Sequence, residues 1–416
     1  MKIKFYIFFS LILYLFVGCS TTQISNQNLY YIYETKSNLP TAQYIVFHKS
    51  DTCSTLYYKI NTSGFLYTKP TGKDKFFANI KLKYELFESF ESKQIIDSNS
   101  VQIKDSTNYK LDSVILDSLN FKAIYNKNYL LKITLTDINK KISANTFINI
   151  SKGNYFNRQN FILKTDDDSP LFSYNINEYT KFKIVYKDTA NKKLYVNYYN
   201  RTFPIALPPF ALSFEPPHFV YKADSTFIID LNKGKTNIIN LKKQGFYHFR
   251  TDTTVRYGLT LFRFYDGFPQ IKTPKHLLEP LRYLTTQREY DKFISSRNKK
   301  LAVDNFWIEN SGNPDRATKM IKRFYNRVQD ANILFSSYLE GWKTDKGIIY
   351  IIYGPPNVVY KASNTETWIY GVAGNMRSIN FDFIKIDNPF VDNDYFLNRV
   401  PAFKDSWYKA VEIWRR

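Results

Sequence analysis

The sequence predicts a multidomain protein in which two N-terminal all-β domains, of the immunoglobulin-like sandwich type, precede a C-terminal α+β domain. The chain has 416 residues, and a single hydrophobic core usually splits above about 250–300 residues. Short runs of alternating apolar and polar residues, separated by polar turns, occupy the chain up to Pro269. From Ile271 the apolar residues recur at a helical period instead. We therefore expect two β units followed by a mixed unit.

Residues 1–18 are expected to form a secretion signal of the lipoprotein type. Two lysines precede an apolar core, Phe5–Val17, that is shorter than the ~20 residues of a membrane-spanning helix. The core leads to Gly18 and Cys19, and a small residue directly before a cysteine is what lipoprotein processing requires. We expect Cys19 to carry lipid that anchors the chain in a bilayer, with residues 19–27 as a polar tether. The alternative is an ordinary signal followed by an incidental cysteine.

Residues 28–151 are predicted to form the first β-sandwich. Ile80–Leu86 alternates strictly between apolar and polar side chains, and Tyr129–Thr136 does so less cleanly. Further strands are predicted at Gln43–Phe47, Leu56–Ile60, Val101–Ile103 and Thr146–Ile150. No helical period lies between them, which favours an immunoglobulin-like sandwich.

Residues 152–270 are predicted to form a second β domain. Its strands are expected at Phe161–Leu163, Lys181–Tyr186, Lys193–Tyr199, Ser225–Ile229 and Leu259–Phe264. Two proline pairs, in Leu207–Phe210 and Glu215–His218, predict rigid crossings between strands. The alternative is that these segments form the rim of an aromatic groove. No internal repeat is evident in the sequence.

Residues 271–416 are predicted to form the α+β domain. Asn313-Pro314-Asp315 combines a capping residue, a proline suited to the first turn and an acidic residue, so a long helix should begin there. Other helices are predicted at Leu278–Tyr283, Arg288–Ser295, Lys299–Asn310 and Ser406–Trp414, and strands at Thr367–Tyr370 and Ser378–Ile386.

The most specific local pattern begins directly after the long predicted helix, at Gly341. This glycine suits the left-handed conformation that ends many helices. Trp342 is a large apolar anchor, which we expect to fill the join between the helix and a sheet. Thr344–Gly347 is predicted to be a turn in which Asp345 binds nearby backbone amides.

A continuous apolar run, Ile348–Tyr353, follows this turn. It is rich in β-branched residues, so it is predicted to be a central strand. Gly354, Pro355 and Pro356 should end that strand, because two prolines remove two backbone donors.

The pattern GWKTDKG followed by IYIIYGPPN resembles the signature of the GWxTD-domain proteins, a family of Bacteroidota lipoproteins. Further similar pieces are LRYLTTQREY, DNFW, NPFVDNDY and the closing SWYKAVEIWRR, so the resemblance extends from Lys275 to Arg416. The family has no assigned activity, so the resemblance implies no catalytic residue. It marks as a candidate binding motif Gly341, Trp342, Thr344, Asp345, Gly347, Gly354, Pro355 and Pro356.

The resemblance also implies a location in the cell envelope. In this bacterial group an acidic run beside the lipidated cysteine resembles a signal for export to the cell surface. The tether after Cys19 has no acidic residue near its lipidated end. We therefore expect the periplasmic face of the outer membrane.

The net charge of +21, from 58 Lys+Arg against 37 Asp+Glu, has two interpretations. One is a surface for an anionic partner. The other is the residue usage of an AT-rich genome, which favours the abundant Lys, Asn, Ile, Phe and Tyr of this chain. No basic cluster has the arrangement of a nucleic-acid-binding motif, so we expect no nucleic-acid partner.

Sequence motifs of catalysis and metal binding are absent. The chain has no glycine-rich phosphate loop, no G-x-S-x-G elbow and no H-E-x-x-H helix. Its 4 histidines, His48, His218, His248 and His276, are scattered without metal-ligand spacing. We therefore expect no cofactor and no metal site.

Three hypotheses for function remain. In the first, the protein is a membrane-anchored binding or scaffold component that contacts an envelope protein or glycan around Trp342, Thr344 and Asp345. In the second, it hydrolyses an envelope polymer with Asp345 as acid or base and Asp382 or Glu366 as the second carboxylate. In the third, the motif is structural and the β domains bind. The second requires Asp345 to lie in an open cleft about 5–10 Å from another carboxylate.

Overall fold

The computed structural model of the protein describes residues 23–35, 40–107, 113–211 and 219–415. The predicted signal peptide (residues 1–18), the lipidation site Cys19 and the predicted crossing Glu215–His218 lie outside these ranges. What the sequence indicates about them therefore stays a prediction.

The first β domain is a sandwich of two antiparallel sheets around one core. One sheet has the strand order β1-β2-β5 and the other has the order β4-β3-β6-β7. The strands are β1 (Ala42–His48), β2 (Cys53–Asn61), β3 (Phe76–Phe87), β4 (Ile95–Thr107), β5 (Val114–Lys122), β6 (Asn128–Asp137) and β7 (Ile142–Ser151). Because side chains alternate along a strand, β3 sends Ile80 and Leu82 into the core, where they join Leu56 of β2 and Ile133 of β6.

The second β domain has the same architecture. Its strands are β8 (Phe161–Lys164), β9 (Lys181–Tyr186), β10 (Lys193–Tyr199), β11 (Ser225–Asp230), β12 (Ile239–Asn240), β13 (Gly245–Arg250) and β14 (Leu259–Arg263). They form the sheets β12-β9-β8 and β11-β10-β13-β14, whose inner faces share one core. The predicted all-β N-terminal region is confirmed.

The two β domains share one strand topology. When the described strands are numbered one to seven within each domain, both domains have the sheet orders 1-2-5 and 4-3-6-7. This pairing of a three-stranded sheet with a four-stranded sheet belongs to the immunoglobulin-like sandwiches. The chain thus repeats a fold without repeating a sequence, because many side-chain sets satisfy the same inward and outward alternation.

The C-terminal domain combines helices with one antiparallel sheet, as predicted. Its α-helices are α1 (Pro274–Leu278), α2 (Gln287–Ser295), α3 (Lys299–Ser311), α4 (Pro314–Phe335), α5 (Asp345–Tyr353) and α6 (Phe403–Ile413). The sheet has the order β15 (Val358–Lys361), β16 (Thr365–Tyr370), β17 (Ile379–Lys385) and β18 (Tyr395–Leu397). The predicted cap of the long helix is confirmed, since the Asn313 side chain accepts a hydrogen bond from the Arg316 amide at 2.9 Å.

One element prediction is wrong: the apolar run Ile348–Tyr353 is not a strand but most of helix α5. All residues of α5 from Asp345 to Ile352 are buried, so the helix has no polar face to reveal its period. A short apolar run bounded by turn residues does not distinguish a buried strand from a buried helix. Thr344 favours a helix at this position, because its side chain caps the first turn by accepting a hydrogen bond from the Gly347 amide.

The N-terminal segment, residues 23–35, packs on the C-terminal domain. Leu29 and Tyr33 are buried in the core that contains Trp368. The Leu29 amide donates to the Val359 carbonyl at 2.8 Å, and the Val359 amide donates to Asn28 Oδ1 at 3.0 Å. The sequence-based division at residue 28, between a tether and the first sandwich, therefore does not match the packing.

Candidate functional site

Gly341 lies in a 3₁₀ turn, Gly341–Lys343, between helices α4 and α5. The predicted left-handed conformation is wrong, because the φ angle of Gly341 is not positive. The residue is needed for a close approach instead, since a Cβ atom there would overlap the Ala331 carbonyl oxygen on α4. Gly347 has the same role, because its Cβ atom would overlap the Gly341 carbonyl oxygen.

Trp342 is buried, as predicted, but helical elements hold it. Its amide donates to Asn332 Oδ1 on α4 at 3.2 Å. Its carbonyl accepts a hydrogen bond from the Tyr283 hydroxyl at 3.1 Å, and the two rings meet edge to face at 6.0 Å. Trp342 therefore fixes the 3₁₀ turn onto the helices that surround it.

Thr344 orients the start of α5. Its hydroxyl donates to the Gly341 carbonyl at 2.8 Å and accepts from the Gly347 amide at 3.1 Å. The predicted turn at Thr344–Gly347 is thus the capped first turn of a helix. Both hydrogen-bonding functions of the hydroxyl are used inside the fold.

Asp345 forms a buried ion pair with Arg399, which follows β18. One guanidinium nitrogen of Arg399 donates to Asp345 Oδ2 at 3.1 Å and the other donates to Oδ1. The Leu397 amide also donates to Oδ2, at 2.7 Å. Burial raises the pKa of Asp345, and Arg399 opposes that effect. The prediction that Asp345 binds amides of its own turn is wrong, because its partners are Leu397 of β18 and Arg399, which follows that strand.

The same ion pair reaches the second β domain. Arg399 donates to the Leu207 carbonyl at 3.2 Å, within the predicted Leu207–Phe210 crossing. The Ala206 amide donates to the Lys343 carbonyl at 2.9 Å. The motif and its ion-pair partner therefore hold the long crossing against the C-terminal domain.

Glu366, on β16, is completely buried and binds four donors. Its Oε2 accepts from Lys346 at 2.8 Å and from Lys361 at 3.1 Å. Its Oε1 accepts from the Trp368 indole at 2.6 Å and from the Tyr33 hydroxyl of the N-terminal segment. Burial alone would raise the pKa of Glu366, but the two lysines hold it at about 2.

Lys346 combines a buried ion pair with a shifted pKa, as many functional lysines do, and the sequence did not single it out. Burial lowers its pKa to about 7, while Glu366 opposes that shift. Its ammonium group also lies 3.3 Å from the centroid of the Tyr395 ring. Lys346 is the second residue of helix α5, and nothing in the sequence distinguishes it from an exposed lysine.

Gly354, Pro355 and Pro356 end helix α5 rather than a strand. Gly354 has a φ of 94°, a conformation that favours glycine. Its carbonyl accepts a hydrogen bond from the Tyr370 hydroxyl at 2.7 Å. The predicted position of the stop is correct, although the element that stops is different.

We call residues Gly341–Gly347, together with the side chains that bind them, the joint. The joint has little space for a ligand. A cavity of about 10 Å³ lies beside Thr344, Lys346 and Asp394, and such a volume holds about one water molecule. Asp394 is buried and accepts from Asn388 Nδ2 at 2.9 Å, and burial raises its pKa to about 6. Perturbed pKa values mark this region, yet ion-pair networks inside a fold cause such shifts as readily as active sites do.

A much larger space, of about 610 Å³, lies where all three domains meet, and we call it the three-domain groove. The first sandwich contributes Glu88–Phe90, Asn128–Leu130 and Asn149–Ser151; the second domain and its linker contribute Gly153, Asn154, Asn157–Gln159, Tyr257 and Gly258; the C-terminal domain contributes Ser363, Asn364 and Lys385–Asp392. The volume is within the ~300–1,000 Å³ of small-molecule sites.

Polar contacts between domains hold the walls of the three-domain groove together. Arg158 of the second domain pairs with Asp392 at 2.6 Å. Arg256 pairs with Asp387, which also accepts from the Tyr257 hydroxyl at 3.0 Å. The first sandwich is attached through Glu91, whose carboxylate accepts from the Ser363 amide and hydroxyl at 2.9 and 2.8 Å. The groove is therefore formed before any ligand arrives.

A second groove, of about 970 Å³, lies between the Leu207–Phe210 crossing and helix α6. Its rim includes Leu207 and Phe210, and the Phe210 ring lies 5.5 Å from the ring of Tyr408. For Leu207–Phe210 this geometry agrees with the alternative prediction of an aromatic-rimmed groove, whereas Glu215–His218 lies outside the described residues.

Two histidines serve the β domains as structural residues. His48 binds Ser54 at 2.9 Å and His248 binds Thr260 at 2.9 Å, and both imidazoles are buried. His276 lies in helix α1, and His218 lies outside the described residues. Among the described residues, no group of three or more His, Cys, Asp or Glu side chains is placed to hold a metal ion. No helix in the described ranges is both long and apolar enough to cross a membrane.

The geometry defines a class of protein: an α+β domain whose buried joint holds the crossing of the second immunoglobulin-like sandwich and an N-terminal segment. Residues 245–416 match the family model of the GWxTD domain, so this C-terminal part of the chain is similar to the GWxTD domain. The match begins at β13, inside the second β domain, and not at the boundary predicted near residue 271. No curated protein matches the chain.

Proposed function

We propose that this protein is a lipid-anchored binding or scaffold component of the cell envelope, and that the three-domain groove is its binding surface. The joint supports this proposal because its polar side chains, Thr344, Asp345 and Lys346, are all engaged inside the fold. The surface that the sequence suggested around Trp342 is buried. The open groove that the GWxTD domain builds with both β domains carries the binding role instead.

The lipid anchor at Cys19 rests on the sequence pattern that ends in Gly18-Cys19. Ile24 is buried in the C-terminal core, which limits how far an anchor at Cys19 could lie from this domain. Ile24 lies five residue steps after Cys19, a length of at most about 18 Å when extended. An acylated Cys19 would therefore hold the GWxTD domain, the last in sequence, close to the membrane, at the periplasmic face of the outer membrane.

The alternative function, an envelope-polymer hydrolase with Asp345 as acid or base, has less support. Both carboxylate oxygens of Asp345 are bound by Arg399, and Oδ2 also accepts the Leu397 amide. The neighbouring cavity has room for about one water molecule and not for a polymer. A raised pKa at Asp345 is the remaining observation in its favour.

A steric block of the groove tests the proposed function. Gly153 lines the three-domain groove, its φ is not positive, and a Cβ atom there would lie at an ordinary contact distance of 3.5 Å from Asn128 Oδ1, so Gly153→Trp should fill the groove without backbone strain. Gly64→Trp is the matched control, because nothing lies within 4 Å of a Cβ atom there. In membranes from cells that produce the full chain, crosslinking should lose its envelope partner in Gly153→Trp and keep it in Gly64→Trp. Equal partner recovery from both variants would overturn the proposal.

The anchor has its own test. Mass spectrometry of the mature amino terminus should find acyl chains on Cys19, and Cys19→Ala should move the protein into the soluble fraction. An unmodified cysteine in membrane-bound protein would contradict the anchor.

A further inference from the structure

We infer that the three-domain groove binds a neutral carbohydrate chain. This inference rests on the proposed function, in which the groove is the binding surface. It is supported by the hydrogen bonds that the lining side chains already make and by the lining amides that have no partner within the described ranges.

Three amide side chains in the groove are available to a ligand. Asn128 and Asn149 of the first sandwich and Asn364 of the C-terminal domain are exposed. Within the described ranges, these three side chains have no hydrogen-bond partner. A carboxamide offers two donors and one acceptor oxygen, and a sugar hydroxyl needs a donor and an acceptor at the same position.

Other amides in the lining are occupied, which makes the free ones informative. Asn157 donates to the Ser151 carbonyl and accepts from the Gln159 amide at 2.9 Å. Asn388 donates to Asp394 and accepts from the Phe390 amide, both at 2.9 Å. These occupied amides build the groove, whereas the free amides point to a ligand on its open side.

The charge balance of the groove favours a neutral ligand. Its charged lining residues are Arg158, Lys385, Glu88, Asp387 and Asp392. Arg158 is paired with Asp392, and burial lowers the pKa of Lys385. Two cations against three carboxylates do not create the positive field that a polyanion would need. The net charge of +21 is therefore not concentrated here.

The groove also disfavours an extended peptide. Strand β7 is an edge strand that lines the groove, and a peptide could add to such an edge as a further strand. Gln159 occupies that position: its amide donates to the Asn149 carbonyl and accepts from the Ser151 amide, both at 2.8 Å. The aromatic lining residues Phe90 and Phe390 are buried and offer no open apolar pocket.

Tyr257 supplies a rigid aromatic surface at the groove. Its ring is partly exposed, the Arg256 guanidinium covers one face at 5.0 Å from the ring centroid, and its hydroxyl donates to Asp387 at 3.0 and 3.1 Å. An aromatic ring with a fixed polar tip suits the apolar face of a sugar ring. A platform of this kind beside free amides matches a carbohydrate better than the other ligand classes.

The carbohydrate has two possible sources, a free polysaccharide or the headgroup of a glycolipid. The groove lies near the predicted anchor, because the Ser25 amide donates at 3.0 Å to the carbonyl of Phe90, which lines the groove. Ser25 lies six residue steps after Cys19, a reach of about 21 Å at most. A membrane-bound sugar is therefore within reach, and binding must be measured for both sources.

Calorimetry with the purified full-length protein tests the inference. The probes are neutral hexose and N-acetylhexosamine oligosaccharides of increasing length, a sulfated oligosaccharide and an extended peptide. The variant Asn149→Ala/Asn364→Ala should bind the preferred neutral oligosaccharide roughly 10- to 30-fold more weakly, as expected for two lost hydrogen bonds. Asn380→Ala is the matched control, an exposed asparagine on β17 outside the groove, and should bind normally. Thermal unfolding of each variant checks that the fold is intact.

The outcomes separate the inference from the proposed function. Binding of a neutral oligosaccharide that Gly153→Trp abolishes and Gly64→Trp keeps supports both. Binding only of the peptide or the sulfated probe, again lost in Gly153→Trp, overturns the carbohydrate and leaves the groove as the binding site. A Gly153→Trp protein that binds every probe like the wild type overturns both. Vesicles that carry a neutral glycolipid, compared with the free polysaccharide, identify the source when a neutral sugar binds.

Discussion

The joint and the three-domain groove use polar side chains in opposite ways. In the joint, Asp345 and Lys346 are buried and each has a charged partner, Arg399 and Glu366 respectively. In the groove, amides such as Asn149 and Asn364 are exposed, and within the described ranges they bind no other side chain or backbone group. The most recognisable residues of the sequence are therefore structural, and the residues available to a partner carry no motif.

This difference has a physical basis. A buried charge must be paired, so the residue types around it are strictly constrained and produce a recognisable pattern. A groove for a neutral ligand needs only hydrogen-bonding side chains at suitable places, and many sequences provide them. If the joint contributed little to the free energy of unfolding, this difference between the two regions would not hold. The variants below rank the expected contributions of individual side chains.

The largest effect is expected from Glu366→Ala. It leaves Lys346 and Lys361 in a buried site without their counter-charge, which should lower the free energy of unfolding by about 3–5 kcal/mol. All 5 tryptophans lie in residues 271–416, so tryptophan fluorescence during urea unfolding follows this domain. As a control, Asp304→Ala removes an exposed ion pair with Lys300 and should cost less than about 1 kcal/mol. Equal losses in the two variants would show that the Glu366 network is not a stabilising part of the joint.

Asp394→Asn should change how stability depends on pH. The folded-state pKa of Asp394 is raised from 3.8 to about 6, so the folded protein binds this proton more tightly than the unfolded chain does. Its contribution is fully present below pH 3.8 and is lost as the pH rises through about 6. The difference corresponds to roughly 3 kcal/mol. The variant should therefore match the wild type near pH 4 and exceed its stability near pH 8, on the order of 2–3 kcal/mol.

Urea unfolding at several pH values measures this effect. Asp304→Asn, an exposed aspartate, serves as the control and should show no such gain as the pH rises. An Asp394→Asn protein that is less stable than the wild type near pH 8 would mean that the ionised carboxylate is stabilised by the joint, against this account.

Tyr33→Phe tests the attachment of the N-terminal segment. The Tyr33 hydroxyl donates to buried Glu366, and a hydrogen bond to a charged group contributes about 1.5–3 kcal/mol. The variant should lose that much stability and expose residues 23–35 to limited proteolysis. Tyr179→Phe is the control, because Tyr179 is 80% exposed. Unchanged proteolysis of residues 23–35 in Tyr33→Phe would show that this hydrogen bond does not hold the N-terminal segment on the joint.

The smallest effect is expected from Gly341→Ala. The added methyl group overlaps the Ala331 carbonyl, so helix α4 and the 3₁₀ turn must separate, at a cost of about 1–3 kcal/mol. Gly64→Ala should be nearly neutral, since its Cβ position is open. A neutral Gly341→Ala, measured by urea unfolding, would mean that the close approach is not required.

The sequence predicted the β domains well because half-buried strands display their alternation directly. Ile80–Leu86 and Tyr129–Thr136 fall within β3 and β6, whereas strands β5, β12 and β13 were missed, and β5 shows one cause. The reason is visible in the burial of β5, which is mostly exposed and keeps only Phe121 fully inside. An edge strand of this kind carries a weak pattern.

The sequence located the joint, but it did not predict the helical conformation of α5 or the partners of its charged side chains. Helix α5 is apolar on all sides, so its period was invisible, and the partners of Asp345 and Lys346 lie 54 and 20 residues away. Tyr33 lies 333 residues from Glu366. The three-domain groove was out of reach for the same reason, because it exists only where three separately encoded surfaces meet.

The central claim is that the joint holds the fold together while the groove binds, and two variants measured side by side test it most directly. Asp345→Asn and Gly153→Trp should each be examined for the free energy of unfolding and for ligand affinity at low temperature. The account predicts that Asp345→Asn is destabilised by about 3–5 kcal/mol but still binds, whereas Gly153→Trp unfolds like the wild type and does not bind. An Asp345→Asn protein with wild-type stability and no affinity would contradict it.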